Sequence, residues 1–280
     1  MKLAYSTLAC PEWNIEKILT SGSENGYTGI EFRGLGPEID LTKSNAFSTP
    51  QSCKKTLNLV ENAGLKTACI STSMQIVAKA QTTEDFISSV NDGQKNIEIA
   101  SDMQAPVIRV FCGNIPDNVS QEEAIKNGAR LLNILGDYAE ENGVKIAVET
   151  HDAFMSAVML SKIINAANHS AVGALWDVHH PYRFCNESPE FTMKNIGRQV
   201  IHTHFKDSIG NAENYTYKLL GEGDIPNIQA IKLLHQSGYD GYYTLEWEKR
   251  WHPELVDADV TIPQYADKMR EYANDLQINS

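Results

Sequence analysis

Short runs of apolar and β-branched residues recur along the chain, and each is followed by a longer segment in which apolar residues repeat with helical spacing. This alternation predicts consecutive βα units and a parallel sheet. The predicted strands lie near residues 2–9, 29–33, 66–72, 107–113, 145–150, 172–178, 200–206 and 241–247. The predicted helices occupy residues 13–25, 50–64, 83–102, 121–142, 157–168, 189–198, 226–237 and 263–275.

Eight such units within 280 residues predict an α/β protein with a single (β/α)8 TIM barrel. An open doubly wound sheet normally has fewer strands and a glycine-rich first turn, and no GxGxxG follows the first predicted strand. Because no Pro/Ser-rich linker divides the chain, we expect residues 1–280 to form one domain. The most irregular stretches, residues 34–50, 181–188 and 207–225, all follow strands, where a barrel carries its active-site loops.

The net charge limits the partners that the chain is expected to bind. Its formal charge is -12 at pH 7, whereas nucleic-acid binding depends on Lys and Arg displacing counterions from phosphates. The densest local basic cluster is the pair Lys249 and Arg250, which has acidic and aromatic neighbours. We therefore expect a small-molecule partner and no nucleic acid, and the sequence leaves open whether the chain forms a homo-oligomer.

The five cysteines indicate a reducing compartment, because they are odd in number, widely spaced and form no CxxC pair. The segment from Ser6 to Cys10 loosely resembles a lipoprotein cleavage site, but the nine residues that precede Cys10 are too few and too polar for a signal peptide. We interpret this segment as a strand. No apolar run approaches the ~20 residues of a membrane span. A cytoplasmic protein is expected.

Polar side chains interrupt the ends of four consecutive predicted strands. A parallel strand covered on both faces should be almost wholly apolar, so a carboxylate or imidazole at its carboxyl end requires a reason. Any one of them, taken alone, is more often solvated or structural than functional. Their recurrence at the same place in each unit indicates a shared site. The four strand ends read VETHD (148–152), WDVHH (176–180), HTHFKD (202–207) and LEWEK (245–249).

Side chains at neighbouring strand ends are close enough to share one metal ion, because adjacent barrel strands lie about 4.8 Å apart. Glu149, Asp177, His204 and Glu246 supply three carboxylates and one imidazole, with no thiolate. Such donors favour Mn²⁺ or Mg²⁺, with Co²⁺ or Zn²⁺ also compatible. The sequence therefore predicts one divalent metal ion at the barrel mouth.

The motif series resembles the xylose-isomerase-like TIM-barrel superfamily of sugar isomerases and epimerases. The resemblance extends over essentially the whole chain and includes GIEFRG (29–34), VIRVFCG (107–113), VETHD (148–152), WDVHH (176–180), HTHFKD (202–207), LGEGDIP (220–226) and YTLEWEKRW (243–251). It implies a metal bound by Glu149, Asp177, His204 and Glu246. It also implies that the two glutamates act as a catalytic acid/base pair and that His180, from the Asp-x-x-His motif, contacts substrate.

Strand alternation alone would place His179, and not His180, on the same face as Asp177. We expect the strand to have ended before this point, so His180 remains the predicted substrate contact. Glu31 and Arg33 share one face of strand two and could grip hydroxyls or form a surface ion pair. Arg109 is more compatible with an interior salt bridge, and His202 with a buried structural imidazole. The predicted substrate-binding residues are His180, Lys206, His151, Glu31 and Arg33.

The expected reaction is metal-dependent isomerisation or epimerisation of a small keto-sugar or polyol, through removal of a proton next to a carbonyl. An unphosphorylated substrate is favoured, because Gly221-Glu222-Gly223 contains an acid and no glycine loop surrounds the nearby cations. Three alternatives remain: a dehydratase resembling 3-dehydroshikimate dehydratases, an endonuclease resembling the abasic-site enzymes of this fold, and a non-catalytic sugar-binding barrel. The net charge weighs against the endonuclease.

Overall fold

Eight parallel strands form a closed barrel in a computed structural model of the protein, which describes residues 1–278. This architecture confirms the predicted fold class. The strands are β1 (Lys2–Ser6), β2 (Gly29–Phe32), β3 (Lys66–Gln75), β4 (Val107–Phe111), β5 (Lys145–Glu149), β6 (Val172–Asp177), β7 (Val200–Phe205), β8 (Asp207–Gly210), β9 (Tyr215–Lys218) and β10 (Tyr242–Leu245). All except β8 and β9 belong to the barrel, in the order β1-β10-β7-β6-β5-β4-β3-β2.

Helices follow the barrel strands, as the periodicity predicts. They are α1 (Ile15–Glu24), α2 (Pro50–Asn62), α3 (Thr83–Asp102), α4 (Gln121–Glu141), α5 (Ala157–Ala167), α6 (His179–Cys185), α7 (Pro189–Ile196), α8 (Asn227–Gln236) and α9 (Ala258–Asp275). Side-chain caps define several starts: the Ser120 hydroxyl, for example, accepts the N–H of Glu123 at 3.2 Å to begin α4. No helix among residues 1–278 is long and apolar enough to cross a membrane.

The structure differs from the prediction at several places. The first strand was predicted to span residues 2–9, but β1 ends at Ser6 and Thr7–Ala9 form a 3-10 helix, which begins where the Ser6 hydroxyl accepts the N–H of Leu8. The stretch 207–225, predicted to be irregular, contains the antiparallel hairpin β8-β9, and the stretch 181–188 contains most of the short helix α6. Helix α9 begins at Ala258 instead of residue 263, because Ala258 and Ile262 are buried and extend its apolar face through a turn that precedes Pro263. The assignment of the whole chain to one domain stays a prediction.

The barrel interior changes from apolar to polar along the strands. Near the amino ends of the strands it is packed with a small cluster formed by Cys69, Val107, Ala147 and Leu175. Two residues further along the same four strands, and therefore on the same inward face, the side chains become polar or charged while remaining buried. These residues are Ser71, Arg109, Glu149 and Asp177. The fold thus places a buried polar layer at the carboxyl ends of the strands.

The loop after the β8-β9 hairpin is organised around Asp207. Its carboxylate accepts the backbone N–H groups of Gly221, Gly223 and Ile225 at 2.9, 3.1 and 3.2 Å. Gly223 must be a glycine here, because an added Cβ would overlap the Asp207 carboxylate. The LGEGDIP motif therefore directs these N–H groups toward an internal carboxylate.

Candidate metal centre

Four of the predicted site residues meet at the carboxyl end of the barrel. Glu149 ends β5, Asp177 ends β6, His204 lies in β7 and Glu246 immediately follows β10; these strands are neighbours in the barrel. All four side chains are buried, and one ligand atom from each lies within 4.8 Å of the others. We call these four residues the carboxylate–imidazole cluster. The structure therefore brings together the complete ligand set that the sequence predicts.

The imidazole of His204 joins the cluster through one ring nitrogen. Its Nδ1 lies 3.0 Å from Oε1 of Glu149 and 3.2 Å from Oε1 of Glu246, while its Nε2 lies 3.0 Å from Oε2 of Glu31. Burial opposes protonation, but Glu246, Glu31 and Glu149 together raise the pKa of His204 well above its ordinary value. A divalent cation would replace the proton on Nδ1, leaving Nε2–H to donate to Glu31.

The chemistry of the cluster fits a divalent cation. Three carboxylates are buried around one imidazole, and such a concentration of negative charge favours the binding of a cation. Oε2 of Glu149 is buried and has no hydrogen-bond partner among residues 1–278. Oxygen and imidazole nitrogen donors suit Mn²⁺, Mg²⁺, Co²⁺ or Zn²⁺. The residues that would hold the ion are Glu149, Asp177, His204 and Glu246.

Lys206, a predicted substrate-binding residue, is buried beside the cluster. Its ammonium group donates to Oδ2 of Asp177 at 2.6 Å, to Oε2 of Glu246 at 2.6 Å and to Oε1 of Glu248 at 3.0 Å. Burial alone would lower the pKa of Lys206, but these three carboxylates raise it well above its ordinary value. The sequence-based prediction did not include Glu248, although it lies two residues after Glu246, a spacing that could have suggested it.

His180 lies next to the cluster because the chain changes direction directly after β6. Val178 has helical backbone angles and α6 begins at His179, so strand alternation no longer applies. Nδ1 of His180 donates to the carbonyl oxygen of Thr150 at 2.8 Å and lies 3.5 Å from Oδ2 of Asp177. Burial lowers the pKa of His180 to about 3. The neutral ring has no hydrogen bond at Nε2 within the described chain, which leaves an acceptor for a substrate hydroxyl.

The other two histidines of this region have different environments. Nε2 of His179 lies 2.9 Å from the hydroxyl of Ser208, so this ring contacts the β8-β9 hairpin. His151 has a partly exposed side chain, and its ring centre lies 4.5 Å from that of Phe111 and 4.8 Å from that of His180. His151 and His180 therefore lie side by side next to the cluster, and their contact with substrate stays a prediction.

The structure corrects one prediction for Glu31. A surface ion pair with Arg33 is wrong, because Glu31 is 0% exposed and its Oε2 accepts hydrogen bonds from His202 at 2.8 Å and from His204 at 3.0 Å. This contact places Glu31 behind His204. We infer that Glu31 positions the imidazole, and its contact with substrate stays a prediction. His202 is buried and bonded to Glu31, and Arg33 is only 6% exposed.

We expect the substitution Glu31→Gln to weaken metal binding by roughly 10–100-fold, the usual effect of removing a carboxylate that orients a ligating imidazole. Titration calorimetry of the metal-free protein with Mn²⁺ or Zn²⁺ would measure the change. Glu38→Gln, seven residues further on and bonded to the backbone of Asp40, is the matched control and should bind metal normally. An unchanged metal affinity in Glu31→Gln would remove the positioning role.

An aromatic wall, not identified from the sequence, stands beside Lys206. The ring of Tyr217 in β9 lies 5.7 Å from His179, 5.4 Å from His252 and 6.1 Å from Trp247, measured between ring centres. Arg183 anchors the hairpin by donating to the carbonyl and hydroxyl oxygens of Ser208 at 3.0 and 2.9 Å. The hairpin, which begins directly after Lys206, therefore brings an aromatic surface to the site.

Residues 20–272 match the xylose isomerase-like TIM barrel family. The chain belongs to this family. Among curated relatives, it is 30% identical over 159 residues to an uncharacterized protein of Methanocaldococcus jannaschii, covering 54% of this chain and 53% of that protein. It is 26% identical over 172 residues to an inosose dehydratase of Clostridium perfringens, covering 55% of each. The chain thus spans about half the length of the curated relatives it matches.

Solved structures of the xylose isomerase-like family share the fold over nearly the whole chain. The IolI protein with a bound zinc atom has a TM-score of 0.83 at 17% identity, covering 99% of both chains. A probable 3-dehydroshikimate dehydratase from Bacillus anthracis has a TM-score of 0.79 at 17% identity, covering 96% of this chain and 99% of that one. A D-tagatose 3-epimerase-like protein has a TM-score of 0.78 at 20% identity, covering 99% and 98%.

Proposed function

We propose that the protein is a divalent-metal-dependent isomerase or epimerase of a small keto-sugar or polyol. The observation that carries this proposal is that two buried glutamates from separate strands, Glu149 of β5 and Glu246 after β10, both lie against Nδ1 of His204, at 3.0 and 3.2 Å. A metal ion held there would have a carboxylate from each of two separate strands beside it. The family match and the D-tagatose 3-epimerase-like neighbour support the same class of reaction.

The two glutamates can act on one substrate from different directions. A divalent cation would stabilise negative charge on the oxygen of a substrate carbonyl. Glu149 then accepts a proton from the adjacent carbon, and the C–H electron pair becomes the double bond of an enediolate. If Glu246, once it has taken up a proton from solvent, gives that proton to the opposite face of the same carbon, the product is an epimer. If the proton on Glu149 is instead placed on the former carbonyl carbon, the product is an isomer.

The electrostatics of the site keep both glutamates in the charged form, which is the form that binds a metal ion. Burial and the nearby Glu246 favour its protonated form, but Arg109 and His204 outweigh them and lower the pKa of Glu149 to about 2. Burial also opposes ionisation of Glu246, whereas His204 and Lys206 lower its pKa well below its ordinary value. Both glutamates are therefore ionised at neutral pH in the metal-free chain, so Glu149 can accept a proton, whereas Glu246 must gain one before it can act as the acid. A positioned acid or base contributes roughly 10²–10⁴-fold to the rate.

The donor set favours Mn²⁺ or Mg²⁺ as the cellular metal, with Co²⁺ and Zn²⁺ compatible. An unphosphorylated substrate is favoured because the backbone N–H groups of Gly221 and Gly223 already donate to Asp207. In barrels, the loops after the seventh and eighth strands often bind phosphate with such groups. The five cysteines are free, which fits the expected cytoplasmic location.

The test is a screen of ketoses, inositol derivatives and 3-keto-glycosides for metal-dependent deuterium uptake from deuterated water. The proposed enzyme should exchange one carbon-bound proton of its substrate, and the chelator-treated protein should not. Conversion to an epimer or isomer, followed by NMR, would identify the reaction. Binding of a ketose without any exchange would instead show a non-catalytic sugar-binding barrel.

Dehydration is the second candidate function. It is favoured by the inosose dehydratase of Clostridium perfringens and by the probable 3-dehydroshikimate dehydratase among the structural neighbours. The same base would remove a proton, but the electron pair would then expel a hydroxyl group as water from the next carbon. Measuring ultraviolet absorbance during incubation with 3-dehydroshikimate, beside the exchange screen, separates elimination from proton relocation.

A further inference from the structure

Arg109 carries a charge for which the chain supplies no complete set of partners. It is the third residue of β4, its side chain faces the barrel interior and it is 0% exposed. Its Nε lies 3.5 Å from Oε2 of Glu149, but none of its three guanidinium nitrogens has a hydrogen bond to any residue within 1–278. A buried guanidinium without hydrogen bonds is energetically unfavourable, so this group is a strong indication of a ligand.

Arg33 directly follows β2, two residues after Glu31, whose side chain contacts His204, so it also lies at the carboxyl end of the barrel. Its backbone is fixed, because its N–H donates to the hydroxyl of Thr7 at 2.9 Å and that hydroxyl donates to the carbonyl of Gly34 at 2.6 Å. Within the described chain its guanidinium makes only one long hydrogen bond, 3.4 Å to the carbonyl of Ile39. Burial, and next the neighbouring Arg109, lower the pKa of Arg33 to about 9. Two guanidinium groups therefore share one poorly solvated region.

Each interior carboxylate near the two arginines already has a partner on at least one of its oxygens. Oε1 of Glu149 lies 3.0 Å from His204, and Oε2 of Glu31 accepts from both His202 and His204. Glu246 lies against His204 and Lys206. Each guanidinium offers five N–H donors, so most of the donors of this pair remain available. An anion from outside the chain would satisfy them.

The geometry of Arg109 favours a planar anion. Its Cζ lies 3.9 Å from the centre of the Phe111 ring, which covers one side of the guanidinium. The contacts left to it lie along the edge of the group, where two parallel N–H bonds match the two oxygens of a carboxylate. A phosphate would require further donors, and the N–H groups of Gly221 and Gly223 are already occupied by Asp207.

We propose that Arg109 and Arg33 together bind the carboxylate of the substrate, so that the molecule converted at the carboxylate–imidazole cluster is a polyhydroxylated keto acid. This inference rests on the proposed function and narrows its substrate class. The two sites are close, because Arg109 and His204 approach different oxygens of the Glu149 carboxylate. A short carbon chain therefore spans the distance between the arginine pair and the reacting carbonyl.

The experiment measures by calorimetry how tightly the metal-loaded protein binds D-gluconate and D-glucitol. Gluconate carries a carboxylate where glucitol carries a neutral CH₂OH group. Gluconate should bind roughly 10–100-fold more tightly, as expected for charge-assisted hydrogen bonds in a buried site. This preference should fall below about threefold in Arg33→Gln and in Arg109→Gln. Arg33→Gln also guards against misfolding, since Arg33, unlike Arg109, makes no ion pair with Glu149.

Arg130→Gln is the matched control, because Arg130 in α4 also lies over an aromatic ring, that of Phe86, but outside the barrel mouth. It should keep the full preference for gluconate. The proposal is overturned if gluconate and glucitol bind equally, or if the preference persists in both arginine variants, as direct chelation of the metal by gluconate would predict. If D-glucitol 6-phosphate binds more tightly than gluconate, and this binding depends on the two arginines, the proposal is also overturned, because the arginines then bind a phosphate and not a carboxylate.

The absence of thermal stabilisation by gluconate up to about 100 mM would also overturn the proposal, since a millimolar Kd already predicts a measurable shift. These outcomes do not depend on turnover. If the protein binds gluconate through Arg33 and Arg109 but catalyses no deuterium exchange, the proposed function is wrong and the carboxylate site stands. If the protein catalyses exchange on a neutral ketose and shows no arginine-dependent preference for an acid, the carboxylate site is wrong and the proposed function stands.

Discussion

Replacing Glu246 by glutamine should lower turnover by roughly 10²–10⁴-fold, the contribution of one positioned acid or base. Glutamine keeps the size of the side chain and one oxygen donor, but it cannot accept the proton that the reaction removes. Glu149→Gln should have an effect of the same order, because the two glutamates form the proposed pair beside His204. Steady-state conversion of the substrate found in the exchange screen would measure both changes.

The pattern of deuterium exchange makes this prediction more specific. In a two-base epimerase, each glutamate serves one face of the carbon, so each variant should still exchange the proton of one epimer while interconversion of the epimers stops. Glu248→Gln is the matched control, because Glu248 contacts Lys206 but lies outside the cluster. It should retain turnover within about tenfold, below the range for a positioned acid or base. Full turnover by Glu246→Gln would eliminate the proposed pair.

Removing the metal with a chelator should abolish turnover and destabilise the fold. Without the ion, the charges of Glu149, Asp177 and Glu246 are balanced by Lys206, Arg109 and protonated His204. A ligand present at a thousandfold excess over its Kd stabilises the native state by about 4 kcal/mol. Thermal unfolding before and after chelation, followed by readdition of Mn²⁺, Mg²⁺, Co²⁺ or Zn²⁺, would measure the effect and rank the metals.

The affinity for metal should also decrease as the pH falls through about 6. Burial raises the pKa of Asp177 to about 6 in the metal-free chain, although Lys206 acts against this increase. Below that pH Asp177 gains a proton, which a metal ion must then displace. His204→Ala should lose tight binding altogether, whereas His169→Ala, whose ring contacts Asp137 outside the cluster, should not. Turnover that survives complete chelation would contradict the metal requirement.

The convergence of the four residues of the carboxylate–imidazole cluster could be predicted from the sequence, because barrel strands impose a simple rule. Buried parallel strands are apolar, and their carboxyl ends meet at one face of the barrel, so a polar residue at each of four successive strand ends indicates a common site. Glu149, Asp177, His204 and Glu246 satisfy that rule without any knowledge of loops. The strand ends are local features, and their relative positions follow from the fold class.

The partners of these ligands could not be obtained in the same way. Glu31 contacts His204 across 173 residues of sequence, and the side chain of Lys206 reaches Glu248 across 42. The rule for strand ends predicts where a side chain starts, but the atom that a long side chain reaches depends on the packing of every neighbour. For this reason the contact of Glu31 with His204 and the contact of Glu248 with Lys206 could not be predicted from the sequence.

The sequence by itself determined the barrel, its eight strands and the four side chains that converge at its mouth, because periodicity and strand-end chemistry are local properties. Only the tertiary structure decided which nitrogen of His204 faces the cluster, where the β8-β9 hairpin places Tyr217, and that the guanidinium of Arg109 is buried without hydrogen bonds. Each of these depends on contacts between residues far apart in the chain, where burial and hydrogen bonding are set by three-dimensional packing.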